Sequence, residues 1–406
     1  MRFGDRLAQF VTHRAVAARP DAAQQPAAAR REGFACARFE FAVGRALGHD
    51  ACAPGFERVA LPSARATAAA LSRVAVGPCD AERPIVAVDL ETAGLFGPVV
   101  PFIACAAWHE DDRVVVEQWT LEAVTGERAF LRAFGDRLHA LTAGGTSLLS
   151  WNGATFDLPR LRERMGRLGL TDPSRGRAHL DLIVAARRLY KGVHPDCRLT
   201  TLEQRVLGIH RRGDLGGAEV AALFGRMQAA PHDPWLRQEL ALAARHNRAD
   251  VLGLLALLVA VADALGRPRT PADAARCARH DLRTGRIDVA IADLLPHVTT
   301  VLARARPSPA EIDAVMLLAS LYRSQARHDA AAELWRFVCE RCPGHADAHD
   351  ALAKHLEHRR RSPAAALRIA AASARPCPRR LARLRKKVGS CDGGRETGAA
   401  DPDGPV

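Results

Sequence analysis

No uncharged apolar run in this sequence is long enough to cross a bilayer. The longest uncharged one, Val251–Ala262, falls short of the ~18–20 residues that a spanning helix needs. The first twenty residues carry Arg2, Asp5, Arg6, His13, Arg14 and Arg19 with no clean apolar stretch. That is not the pattern of a secretory leader. Paired cysteines are scarce too: the ten Cys stand singly except for Cys339 and Cys342. This lone CxxC has no second pair or His pair to complete a zinc site, so it is expected on a helical face. No disulfide framework is indicated, which makes a reducing cytoplasm the expected location and excludes a membrane role. Lysine is nearly absent, with Lys191, Lys354, Lys386 and Lys387 the only four among 58 basic residues. The net charge of +13 allows an anionic partner, but the skew to Arg and Ala shows that coding composition contributes to it.

What is present reads as two to three domains in 406 residues. Residues 1–81 are rich in Ala and Arg and are broken by Pro20, Pro26, Pro54, Pro62 and Pro78. They are expected to be a partly ordered lead-in that adds short elements to the next domain. The regular part, 82–265, opens on Ile85–Asp89, a β-branched apolar run with strand character. The run ends in Asp89 and Glu91, two apart and therefore on one face of a strand. Two carboxylates side by side are costly unless a cation sits between them, and a hard divalent ion is the natural one. The alternative is a strand that ends in polar turn residues.

Two further strands, Phe102–Trp108 and Arg113–Thr120, flank the compact polar turn His109–Asp112 and predict an antiparallel hairpin. Glu127–Leu141 has helical spacing, and Thr146–Trp151 reads as a fourth strand parallel to its neighbour. That strand stops at Asn152-Gly153, with Asp157 just before a helix marked by Leu158, Leu161 and Met165. Asp157 either caps this helix or faces the same metal as the first pair, and the two roles are compatible. Asn152 either shapes the turn or binds substrate phosphate, and Phe156 either joins the core or stacks on a base. Asp181 is expected to cap the helix after it or to support the metal site. Arg187, Arg188, Lys191 and Arg198 form a basic surface that either meets phosphates or is merely solvated. A third signal lies in the long helical run from Trp235 to Leu265. His246 and Asp250 are four apart and share a helix face, which Asn247 borders.

Together these motifs resemble the DEDD exonucleases of the ribonuclease H-like superfamily, and more narrowly the bacterial YprB-like domains, over about 82–262. The resemblance rests on Asp89-x-Glu91, Trp151–Asp157, the stretches around Asp181 and Leu202, Gly217–Phe224 and His246–Leu254. It implies a ribonuclease H-like mixed sheet with flanking helices. It also implies 3′→5′ removal of nucleotides from single-stranded DNA or RNA. Asp89, Glu91, Asp157 and Asp250 would hold two Mg²⁺ or Mn²⁺ ions, His246 would be the general base, and Asn152, Phe156 and Asn247 would contact substrate. His246 stands four before the last Asp, where the superfamily's branches carry Tyr at four or His at five, so the base assignment departs from the pattern. Ala93 also stands where Thr is usual.

Beyond 266 the chain is expected to be all-α. Leu318, Ala319, Tyr322, Ala331, Trp335 and Pro343 recur 34 residues later as Leu352, Ala353, Leu356, Ala365, Ile369 and Cys377. This resembles a tetratricopeptide region over 266–378, which implies a protein partner or packing within the chain. Residues 379–406 read as a basic run followed by a disordered tail from Gly389. Two other functions remain open at this level: an inactive nuclease fold that binds nucleic acid or scaffolds, and a structure-selective endonuclease.

Overall fold

The computed structural model describes residues 29–31, 33–44, 56, 59–75, 84–94, 99–211 and 213–392. The readings made on the first twenty residues and on the tail beyond Asp392 lie outside them. The chain forms two compact units. The first includes the described residues up to Ser72, within Cys79–Ala186 and within His194–Val261; the second includes those within Arg187–Val193 and from Ala262 onward.

The first unit is built on a seven-stranded sheet in the order β1-β2-β5-β4-β3-β6-β7. The strands are β1 (Ala29–Arg31), β2 (Phe34–Ala42), β3 (Ile85–Ala93), β4 (Val100–Glu110), β5 (Arg113–Leu121), β6 (Ser147–Ser150) and β7 (His179–Asp181). The expected hairpin is β4–β5, closed between Glu110 and Arg113, with Asp111 at φ 50° in the turn. β6 pairs parallel to β3, as its separation by a helix requires, and β7 pairs parallel to β6. β2 enlarges the role expected of the lead-in. It pairs antiparallel with β5 along all nine of its residues, so the sheet begins well before residue 82.

β3 alternates as a half-buried strand should. Val86, Val88 and Leu90 enter one core with Phe130, Phe134 and Leu161, which leaves Asp89 and Glu91 for the other face. Phe130, Leu131, Phe134 and Leu138 are the buried stripe of helix α2 (Glu127–Thr142). The other helices of more than two turns in this unit's sequence range are α1 (Ala64–Val74), α3 (Asp157–Arg167), α4 (Leu182–Tyr190), α5 (Gly217–Ala229) and α6 (Pro234–Gly266). Helix α6 alone among the described helices is long and apolar enough to cross a membrane, yet 67% of its most apolar window is buried inside the protein. Its hydrophobicity is that of a core helix.

The second unit is helical: α7 (Pro271–Arg283), α8 (Ile287–Leu302), α9 (Pro309–Ser324), α10 (His328–Arg341), α11 (Ala346–His358), α12 (Pro363–Ala371) and α13 (Pro378–Asp392). Of the twelve residues in the 34-residue recurrence, Leu318, Ala319, Tyr322, Ala331, Trp335, Leu352 and Ala353 are buried, Leu356, Ala365 and Ile369 are half-buried, and Pro343 and Cys377 are exposed. Cys339 and Cys342 sit at the end of α10 as free thiols. The expected tail from Gly389 needs correction, because α13 runs on to Asp392.

Candidate active site

Asp89 and Glu91 lie on β3 next to an irregularity in the pairing with β4 between Glu91 and Thr92. Bulges of this kind re-aim side chains at a strand's end. Helix α6 crosses this face. Asn247 on that helix donates from Nδ2 to Asp89 Oδ2 at 2.7 Å, and its Oδ1 accepts from Gln118 Nε2 at 2.9 Å. One turn around, His246 Nε2 lies 3.9 Å from Glu91 Oε1 and 3.4 Å from Asp250 Oδ2. Ligand atoms of Glu91, His246 and Asp250 all fall within 4.8 Å of one another, a spacing that can hold a metal ion.

Asp157 opens α3 and is buried, only 5% exposed. The helix carries no side-chain cap, so Asp157 is not the capping residue that its position suggests. It interacts instead with the Asp89 carboxylate, whose charge raises its pKa after burial, the larger cause, has done so. The turn before it is held from β7. Asp181 Oδ1 accepts from Asn152 N at 2.7 Å and Oδ2 from Ala154 N at 3.1 Å. Asp181 therefore supports the Asp157 loop rather than capping α4. Gly153 is required there, since a Cβ would come within 2.3 Å of Ser150 Oγ. Asn152 adopts φ 64° and bonds Thr155 Oγ1 through its Oδ1, so its turn role is realised.

The electrostatics are those of carboxylates short of counter-charge. Burial, then Asp250, pushes Asp89 up to about 7. Burial, then Asp89, raises Glu91 well above the usual range. Burial lowers the pKa of His246, but Asp250, Asp214 and Glu91 overcome it and lift it to about 10. Oxygen donors in this number, buried together and reluctant to ionise, suit a hard divalent cation.

One expectation changes. Asn247 is wholly buried, and its amide is committed to Asp89 and Gln118, so it holds the site together and does not reach substrate. Phe156 is half-buried, and the Arg160 guanidinium covers one face of its ring at 3.5 Å.

Glu203, Arg211 and Asp214, which complete the site, were not read as site residues, although Glu203 ends one of the stretches that carry the resemblance. Arg211 donates to both oxygens of the buried Glu203 at 2.7 and 2.8 Å, and its Nη2 lies 2.5 Å from Asp250 Oδ1. Burial works against the Arg211 charge, but Asp250 and Glu203 hold it on. Asp214 Oδ1 lies 2.7 Å from His246 Nδ1. These residues stand 32 to 47 positions from the helix pair they meet, so no local spacing reveals them.

Residues 86–262 match the model of the RNase_H superfamily and form an RNase H-like domain, a match that supports a nuclease-type enzyme with a nucleic acid substrate. The chain is also similar to the uncharacterized protein YprB of Bacillus subtilis (strain 168). The two are 29% identical over 300 residues, which span 70% of this chain and 67% of that protein.

Proposed function

We propose that this domain is a metal-dependent 3′→5′ exonuclease acting on single-stranded DNA or RNA. One observation carries the reading: Glu91 on β3 and Asp250 on α6 stand at metal-ligand spacing with His246, and Asp89 on β3 and Asp157 on α3 lie near enough for their charges to act on the same group of carboxylates. These four would hold two Mg²⁺ or Mn²⁺ ions. When bound, such ions supply an activated water and stabilise the leaving oxygen.

The chain's own residues do the rest. Burial of Asp157 and Asn247 keeps bulk water from the inner side of the cluster. His246 Nε2 faces Glu91 and Asp250, whose charges keep the ring protonated in the metal-free protein; with cations on those carboxylates it would orient the attacking water and take its proton. Asn152 and Phe156 flank Asp157 and contact the terminal nucleotide. The helical region is read as tetratricopeptide-like repeats that take a protein segment. The cytoplasm is the proposed place of action.

The Arg211–Asp250 contact favours a second reading. A guanidinium that neutralises one ligand is what an inactive, nucleic-acid-binding fold would keep. Circular and linear single strands, each 5′-labelled where an end exists, separate the readings. A ladder shortening from the 3′ end of the linear strand alone supports the exonuclease. Cleavage of the circle points to an endonuclease, and salt-sensitive binding without cleavage to the binding protein.

A further inference from the structure

The nuclease reading leaves one feature of the site unexplained: why a loop carboxylate, Asp214, lies against the far nitrogen of His246. The loop is built to place it there. After a π-type turn, Glu203–Leu207, the chain reverses at Gly208, whose φ of 71° suits glycine. Ile209 then anchors the segment, 1% exposed and with its N–H on Glu203 O at 3.0 Å. At the other end Glu219 Oε2 accepts from Gly216 N at 2.9 Å as α5 begins. Between these two anchors Asp214 has both oxygens engaged. Oδ1 lies 2.7 Å from His246 Nδ1, and Oδ2 lies 3.4 Å from Arg211 Nη1.

A carboxylate beside a guanidinium is ionised and can only accept. Arg211 Nη1 also lies 3.4 Å from His246 Nδ1, but the carboxylate is much closer at 2.7 Å, so Nδ1 donates to Asp214 and the direction of the ring is set. Nε2 is then the atom turned to Glu91 at 3.9 Å and Asp250 at 3.4 Å. A hydrogen bond on the far ring nitrogen is the general means by which an imidazole's tautomer and orientation are set.

We propose that Asp214 is a positioning residue for the reaction, holding the His246 imidazole by Nδ1–H so that Nε2 is presented to the carboxylate cluster. The inference rests on the nuclease reading of this site. It extends that reading from the cluster itself to the loop 208–216, which supplies the third member of an Asp214–His246–water line.

The test uses the full chain with Asp214→Asn and Asp214→Glu, each checked by thermal melting, and two readouts. The first is the Nδ1–H proton signal of His246 in ¹⁵N-histidine-labelled protein without added metal, assigned by its loss in His246→Gln. It is expected far downfield in the unsubstituted protein, displaced in Asp214→Asn and restored in Asp214→Glu. The second is Mn²⁺-supported hydrolysis of a single strand. Asp214→Asn is expected to lower kcat by about 10–100-fold, the usual cost of losing a supporting carboxylate, with KM little changed. Asp214→Glu is expected to recover most of that loss. An unmoved Nδ1–H signal, or an Asp214→Asn protein as active as the unsubstituted one, overturns the inference and leaves the nuclease reading standing. An unsubstituted protein without hydrolysis overturns the nuclease reading and the catalytic role with it, while the proton signal still reports whether Asp214 holds the ring.

Discussion

Asn247 Nδ2 donates a 2.7 Å hydrogen bond to Asp89 Oδ2, so a wholly buried amide on α6 fixes the first carboxylate of β3. The same amide accepts from Gln118 on β5, which ties the helix to two strands at once. Replacing Asn247 by Leu keeps the volume but leaves Asp89 without its donor. A loss of about 1–3 kcal/mol is expected, read by chemical denaturation. A variant as stable as the parent would show that Asp89 is held by other means.

Gly253 on α6 lies under Glu203. An added Cβ would fall 2.0 Å from Glu203 Oε1 and 3.0 Å from its Cδ. Helix propensity alone favours Gly253→Ala by ~1 kcal/mol. Here the opposite sign is expected. Glu203 cannot retreat without breaking its pair with Arg211, and overpacking costs about 1–3 kcal/mol. A lower melting temperature is the expected result, and a higher one would contradict the packing.

The acidic cluster predicts how metal binding depends on pH. Asp89 is raised to about 7, and Glu91 and Asp157 are raised as well. Without a cation, these groups keep protons in the folded chain that the unfolded chain has shed. The stability this gives is complete below the ordinary carboxylate range and is lost as pH rises through about 7. Cations need the deprotonated ligands, so protons compete with them. The Mn²⁺-induced rise in melting temperature should be small near about pH 5.5 and larger near about pH 8. Equal rises at both would mean that the ion binds elsewhere.

In the helical unit, Glu357 on α11 receives Arg383 at 2.7 and 3.0 Å and Lys387 at 2.7 Å, both from α13. Burial opposes its ionisation, but the two cations outweigh it and bring its pKa down to about 2. The stability contributed is therefore present above the ordinary glutamate range and is lost as pH falls through about 2. Glu357→Gln should speed amide exchange in α13 at neutral pH and leave α9 unchanged. Unchanged exchange in α13 would show that its apolar contacts suffice.

Much of the fold was legible because it rests on local patterns. The β-branched apolar run of Ile85–Asp89, the turn at Asp111 and the apolar stripe of Glu127–Thr142 each act within a few residues. His246 and Asp250 were legible for the same reason, one helical turn apart. β2 was not read as a sheet strand, because Phe34–Ala42 mixes Ala, Cys and Phe with the charged Arg38 and Glu40 inside a proline-broken stretch, and its pairing partner lies about 80 positions away. Asn247 was misjudged since a polar residue beside a catalytic motif looks exposed, and only the packing of α6 on β3 buries it. Glu203, Arg211 and Asp214 stayed hidden because a loop and a helix distant in sequence bring them together. Asp157 carried both a local reading and a tertiary one, and only the burial of the cluster distinguishes them.

The measurement that tests the central claim most directly is hydrolysis of 5′-labelled single-stranded DNA and RNA with Mg²⁺, Mn²⁺ or EDTA, beside the Asp89→Ala protein. The account predicts products that shorten from the 3′ end with either metal, that vanish in EDTA and that are reduced by at least about 100-fold in the variant, as loss of a metal ligand requires. Cleavage that persists in EDTA, or in Asp89→Ala, would contradict it.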